Sequence, residues 1–161
     1  WNLPVIFVCE NNFYGIGTDV RLASSLTEVH KKASGYGMPG FRVDGMDVLA
    51  VESVARRAID FIRAGNGPYF IEAKTYRFRA HSMFDAEQYR TRDDVARWRE
   101  RDPLLTLPAL LQERGLLTDE DLAALEREVA DEVAACVAFA EAGTWEPVEE
   151  LERFVVSEVA S

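Results

Sequence analysis

Two short stretches of this chain gather residue types that bind charged ligands. The first, Glu10-Asn11-Asn12-Phe13-Tyr14-Gly15-Ile16-Gly17-Thr18, follows an apolar run and carries two side-chain amides and two glycines. Amide oxygens and free backbone carbonyls are neutral ligands for a hard divalent cation, and glycine lets a ligand approach the backbone. A plain turn uses the same residues. The second, Thr75-Tyr76-Arg77-Phe78-Arg79-Ala80-His81-Ser82-Met83, is cationic. If it stays extended, a period of two puts Arg77, Arg79 and His81 on one face, a set of donors suited to phosphate. An exposed basic edge strand is the alternative reading. The other histidine, His30, stands beside Lys31 and Lys32 and reads as solvated. An oxygen-rich corner and a cationic corner at one sheet edge are what a magnesium-bridged diphosphate needs.

The elements that must hold these stretches are legible in the hydrophobic pattern. Val5 to Cys9 is a continuous apolar run, which predicts a strand buried on both faces. A helical segment spans about Ser25 to Ser34 and stops at Gly35-Tyr36-Gly37-Met38-Pro39. Phe41 to Asp44 reads as a short strand. Asp47 then caps a helix with Val48, Val51, Val54, Ala55, Ala58 and Ile62 at helical spacing, closed by Gly65. Pro68 to Arg77 gives the next strand. Alternation of strand and helix predicts an α/β fold: a mostly parallel sheet with flanking helices. Ligands in such sheets bind beyond the carboxyl ends of the strands, where both polar stretches fall. Residues 80–92 have no period and read as a loop. Helices are expected over Asp93–Arg101, Leu104–Arg114 and Thr118–Ala142, the last opened by the capping box Thr118-Asp-Glu-Asp121. Its stripe of Leu122, Leu125, Val129, Val133, Cys136 and Val137 makes Cys136 a core residue on this reading.

The chain has 161 residues, 48% of them hydrophobic, enough for one substantial core. Residues 1–101 hold 15 basic and 13 acidic side chains, whereas 102–161 hold 3 basic and 15 acidic. The net charge of -10 argues against nucleic acid as a partner. Cys9 and Cys136 have no CxxC partner, so neither a disulfide framework nor a zinc site is supported, and a reducing, cytoplasmic location is expected. No run reaches the length of a membrane span. Because the chain starts at Trp1 and enters an apolar run almost at once, it reads as a fragment of a longer protein.

Pro4-Val-Ile-Phe-Val-Cys-Glu-Asn-Asn-Phe-Tyr-Gly-Ile-Gly-Thr18 closely resembles the second half of the thiamine-diphosphate motif. Thr75-Tyr-Arg-Phe-Arg-Ala-His-Ser-Met83, followed by Tyr89-Arg-Thr-Arg92, resembles the cofactor loop of the alpha subunit of the 2-oxo acid dehydrogenase first component. Gly40-Phe-Arg-Val-Asp-Gly-Met-Asp47 and Arg101-Asp102-Pro103 fit the same family. The resemblance implies a partial thiamine-diphosphate-binding fold over 1–101, with a cofactor loop at 77–92, and an acidic helical extension over 102–161. It implies Asn12 and the Tyr14 carbonyl as magnesium ligands, Arg77 and His81 as diphosphate-binding residues, and His81 as a catalytic group in acyl transfer. Ser82 matches a position phosphorylated in some relatives, and Asn11 is structural. The implied activity is oxidative decarboxylation of a 2-oxo acid with thiamine diphosphate and magnesium. Its partners would be a beta subunit in an α2β2 assembly and a lipoyl-bearing acyltransferase. Pyruvate is favoured as substrate, then acetoin, then branched-chain 2-oxo acids; a non-catalytic interaction module is the rival. A dinucleotide-binding fingerprint fails, because Gly15-Ile-Gly17 lacks the third glycine. The family's Gly-Asp-Gly, whose Asp is the charged magnesium ligand, does not occur in this chain, so the chain alone is expected to bind the cofactor poorly and, with an open first strand, to be marginally soluble.

Overall fold

The computed structural model describes residues 1–153 and 155. The chain divides into two compact units, Trp1–Arg114 and a second from Gly115 onward. In the first, β1 (Ile6–Asn11), β4 (Gly40–Asp44) and β5 (Tyr69–Lys74) form a parallel sheet in the order β1-β5-β4. A two-residue ribbon, β2 (Tyr14–Gly15) with β3 (Thr18–Asp19), follows β1 and runs into the single turn α1 (Val20–Ala23). A 3-10 stretch covers Val29–Tyr36, and α2 (Val48–Arg63), α3 (Arg92–Arg99) and α4 (Pro103–Glu113) complete this unit.

The core lies between the sheet and α2. Tyr69, Ile71 and Ala73 of β5 point one way, and α2 meets them and Val43 with Val54 and Ala58, a spacing of four that keeps both on one helical face. Asp47 caps α2 as expected, its Oδ1 accepting from the Ala50 amide at 3.0 Å. On the opposite face of the sheet the 3-10 stretch packs against β4 and β5. It begins and ends later than the helix expected over Ser25–Ser34, because Gly37, with φ 69°, and not Gly35, supplies the left-handed residue that stops it.

The apolar run of β1 reads as a strand buried on both faces, yet in this chain β1 has the open hydrophobic edge also expected of it. Phe7 and Val8 are 49% and 61% exposed, since β1 pairs with β5 alone among the described residues; the central, doubly covered strand is β5. The register aligns Asn11 and Asp44 with Lys74, so all three strands end together and the segments after β1 and β5 leave the same sheet edge side by side.

The second unit contains α5 (Asp119–Glu141), opened by the expected reciprocal cap: Thr118 Oγ1 accepts from the Asp121 amide at 3.1 Å, and Asp121 Oδ2 accepts from the Thr118 amide at 3.0 Å. Cys136 is exposed rather than core, and Leu125, Val129, Val133 and Val137 are about half exposed. A helical period says which face is apolar, not whether another element covers it.

Candidate functional site

The loop after β1 is tightly specified. Asn11 and Asn12 each bend the backbone onto their own side chains: Asn11 Oδ1 accepts from the Phe13 amide at 3.0 Å and Asn12 Oδ1 from the Tyr14 amide at 3.2 Å. Phe13 and Ile16 hold positive φ angles of 71° and 57°, a region that bulky and β-branched residues occupy only under constraint. The Val20 amide donates to the Phe13 carbonyl at 2.8 Å, while Tyr14 lies opposite Asp19. Bonded and non-bonded pairs alternate along an antiparallel ribbon, so the Tyr14 carbonyl stands free of this ladder. A neutral amide oxygen at Asn12 and a carbonyl at Tyr14 are thus available together.

The segment after β5 leaves the sheet at Lys74 and is not an extended strand to Arg77. The expectation that Arg77, Arg79 and His81 share a face therefore holds only for Arg77 and His81. Arg77 Nη1 lies 3.2 Å from His81 Nδ1 and Nη2 donates to the His81 carbonyl at 3.4 Å. A guanidinium can only donate, so Nδ1 is the acceptor in this contact and Nε2 carries the ring proton, free to donate to an anion.

Two side chains order this loop. Asp85 accepts from the His81 amide at 3.0 Å, the Glu87 amide at 2.9 Å and the Tyr89 hydroxyl at 2.8 Å, and these bonds, led by that from His81, hold its carboxyl below the usual carboxylate range. Arg90, whose side chain is almost fully buried, donates to the carbonyls of Arg77 and Phe78 and to Glu87. Aromatic rings join the two loops: Tyr14 meets Tyr89 at 5.1 Å, while Trp98 of α3 stacks on Tyr76 at 5.1 Å and 4° and touches Phe13 at 5.6 Å.

The result is a cavity of about 250 Å³ lined by Asn12, Tyr14, Gly15, Ile16, Arg77, His81, Tyr89 and Arg90. Asn12, Tyr14, Arg77 and His81, chosen from sequence, all stand on its wall. Neither Arg79 nor Ser82 lines it, and Ser82, next to His81 in the chain, is exposed to solvent. Tyr89 and Arg90 were not singled out as site residues, although Tyr89-Arg-Thr-Arg92 was the signal that marked them. A second cavity of about 420 Å³ shares Tyr14 and is walled by Phe13, Tyr76 and Trp98, with Lys74 and Asp94 among its charged residues.

Behind the loops, Asn11 is buried and is no passive residue. Its Nδ2 donates to Glu72 Oε1 at 2.7 Å. Glu72 is fully buried on β5 and also accepts from the His30 amide at 2.8 Å, from His30 Nδ1 at 2.8 Å and from Lys74 Nζ at 2.9 Å. Burial pushes its carboxyl up, but the bonds from the His30 amide, Lys74, Asn11 and the His30 ring outweigh it and hold the pKa at about 2. His30 is therefore a partner of a buried carboxylate, not the solvated residue expected from Lys31 and Lys32.

Among the described residues no three His, Cys, Asp or Glu side chains gather as metal ligands, and no Asp or Glu lines the 250 Å³ pocket, whose oxygen donors at Asn12 and Tyr14 are neutral. No helix among the described residues is long and apolar enough to cross a membrane.

Fold and site together define an α/β domain with a polar strand-end pocket, pairing neutral oxygen donors with cationic ones. The chain belongs to the dehydrogenase E1 component family, whose model matches residues 1–149. It is 42% identical over 152 residues to the pyruvate dehydrogenase E1 component subunit alpha of Rhizobium meliloti (strain 1021), covering 94% of this chain and 44% of that protein. It is 41% identical over 158 residues to the chloroplastic subunit alpha-3 of Oryza sativa subsp. japonica, covering 98% and 37%, and 41% identical over 152 residues to the subunit alpha of Zymomonas mobilis, covering 94% and 43%. The chain thus spans less than half the length of these curated relatives.

Proposed function

We propose that the protein containing this chain is the alpha subunit of a thiamine-diphosphate-dependent 2-oxo acid dehydrogenase, with pyruvate as the favoured substrate. The observation that carries the reading is the convergence of Asn12, Tyr14, Arg77 and His81 on one 250 Å³ pocket. Membership of the dehydrogenase E1 component family and the names of the similar proteins support it.

The donor set suits magnesium diphosphate. Asn12 Oδ1 and the Tyr14 carbonyl would hold the metal, with a charged ligand from outside this chain, and Arg77 with His81 Nε2 would hold phosphate oxygens. The cofactor, when bound, supplies the electron sink for decarboxylation. The protein's share is to bind and orient. Arg77 fixes the His81 ring through Nδ1, Asp85 fixes its backbone, and the Tyr14–Tyr89 contact joins the two loops that wall the pocket. With its ring held, His81 presents Nε2–H as a hydrogen-bond donor and is the residue we assign to assist the acyl-transfer step. Residues 1–101 act as the second half of the cofactor domain and 102–161 as its acidic helical extension. A beta subunit in an α2β2 assembly and a lipoyl-bearing acyltransferase are the partners, in the cytoplasm. Phosphorylation of exposed Ser82 would put negative charge beside the diphosphate-binding pair and oppose binding.

The test is dye-linked oxidation of pyruvate, acetoin and a branched-chain 2-oxo acid by the full-length protein reconstituted with its beta subunit, magnesium and thiamine diphosphate. Pyruvate is expected to be turned over fastest, and His81→Ala to raise the apparent Kd of the cofactor. A branched-chain preference overturns the substrate assignment, and no turnover of any of the three overturns the function.

A further inference from the structure

From the buried hydrogen-bond chain behind the pocket, we infer that Glu72 is a positioning residue for the metal-binding loop, acting through Asn11 and anchored by His30. The inference rests on the function proposed above and extends its site into the sheet.

Glu72 sits on the central strand with no exposed surface, where an apolar residue would cost nothing to desolvate. Four donors have been gathered around it. Two reach Oε1, from Asn11 Nδ2 and Lys74 Nζ, and two reach Oε2, from the amide and Nδ1 of His30. Such an arrangement fixes the carboxylate against rotation, and so fixes Asn11, the last residue of β1. Asn11 has one amide group donating backwards to Glu72 and one oxygen accepting forwards from the Phe13 amide. The forward bond holds Phe13 at φ 71°, and the turn at Phe13 sets where Asn12 and the Tyr14 carbonyl face. Were Glu72 a neutral amide, it would carry one acceptor oxygen instead of two, and the Asn11 side chain would be free to flip its oxygen away from Phe13. A strained turn released in this way relaxes, and the two metal donors separate.

A residue that only stabilises the fold would lower the melting temperature without changing metal affinity in the molecules that stay folded. A positioning residue changes magnesium affinity itself. The experiment is calorimetric titration of magnesium into the full-length protein, with its beta subunit, in saturating thiamine diphosphate. Glu72→Gln is expected to weaken magnesium binding at least tenfold. Asn11→Asp alone, which sets two carboxylates face to face, is expected to weaken it as well, despite bringing negative charge toward the cation. Combined with Glu72→Gln, the same change reverses the direction of the hydrogen bond, keeps an oxygen for the Phe13 amide, and is expected to recover most of the loss. Magnesium affinity within twofold of wild type in Glu72→Gln, or no recovery in the combined variant, overturns the positioning role. Should Glu72→Gln fail to fold, His30→Ala decides instead: it leaves the bonds from Asn11 and Lys74 in place and is expected to weaken magnesium two- to fivefold, and unchanged affinity overturns the role. A wild-type protein that binds no magnesium with thiamine diphosphate overturns the proposed function as well, whereas wild-type binding indifferent to these changes overturns the positioning role alone.

Discussion

Arg90 is the residue whose replacement reads the order of the cationic loop most directly. Its guanidinium bridges the carbonyls of Arg77 and Phe78 and the Glu87 carboxylate, three acceptors that no other single side chain matches in geometry. Arg90→Ala removes two charge-assisted bonds to loop carbonyls, each worth about 1.5–3 kcal/mol. Taking the lower figure for both gives roughly 3 kcal/mol for loop opening, or about a hundredfold in the opening equilibrium at 1.4 kcal/mol per factor of ten. Four loop amides report it: His81 and Glu87, which donate to Asp85, together with Asp85, which donates to the Ser82 carbonyl, and Arg90, which donates to the Glu87 carbonyl. Hydrogen exchange on the full-length protein should show these four exchanging about a hundredfold faster. Amides of α2 and β5 should be unchanged, because the partners of Arg90 are Arg77, Phe78, Glu87 and the rings of Tyr76 and Tyr89, all beyond the end of β5 at Lys74. Loop amides within threefold of wild type would refute the view that Arg90 holds the loop. Equal acceleration in the loop and in α2 would refute the view that it does so locally.

Asp47→Ala removes the side-chain cap of α2 and should cost about 1 kcal/mol in urea unfolding; an unchanged midpoint would mean the cap carries no stability. At Gly45 an added Cβ would stand 2.5 Å from Thr75 Cγ2 and 2.9 Å from the Lys74 carbonyl oxygen, which already accepts the Gly45 amide at 2.8 Å. Gly45→Ala must therefore part the ends of β4 and β5, and should destabilise by about 1–3 kcal/mol, a loss that a variant as stable as wild type would disprove. The depressed carboxyl of Glu72 makes stability pH-dependent. Its contribution is fully present above the ordinary carboxyl value of 4.5 and is lost as pH falls toward about 2. In Glu72→Gln the acid-induced fall in melting temperature across this window should be shallower, and an equal slope in both proteins would remove Glu72 as its source.

What the sequence disclosed, and what it withheld, divides along the range of the interactions involved. Local signals read well: Asp47 and Thr118 cap α2 and α5, the apolar spacing of Val54 and Ala58 marks the face of α2 that meets the sheet, and residues 80–91 carry no helix or strand. Burial read poorly wherever it depended on a distant partner. The stripe of α5 looks like core yet stands exposed, because periodicity records a preference for burial and not its fulfilment; β1, whose apolar run alone reads as doubly buried, has among the described residues the open edge expected of it. The same limit hid the network behind the pocket. Glu72 and His30 are 42 positions apart, and Asn11 and Glu72 are 61 apart, so nothing in the local spacing around Lys31 and Lys32 marks His30 as a buried partner. At the pocket, Asn12, Tyr14, Arg77 and His81, which the family resemblance of the stretches 10–18 and 75–83 points to, line one cavity. Arg79 would join them only if the strand ran on, and β5 ends at Lys74.

The decisive measurement is to locate the divalent ion in a crystal of the full-length protein with its beta subunit and thiamine diphosphate, using manganese in place of magnesium for its anomalous signal. The ion should lie within coordination distance, about 2.0–2.3 Å, of both Asn12 Oδ1 and the Tyr14 carbonyl oxygen, with Arg77 and His81 on the phosphate oxygens. An ion bound elsewhere, or a cofactor whose phosphates lie away from Arg77 and His81, would contradict the assignment of the 250 Å³ pocket as the cofactor site.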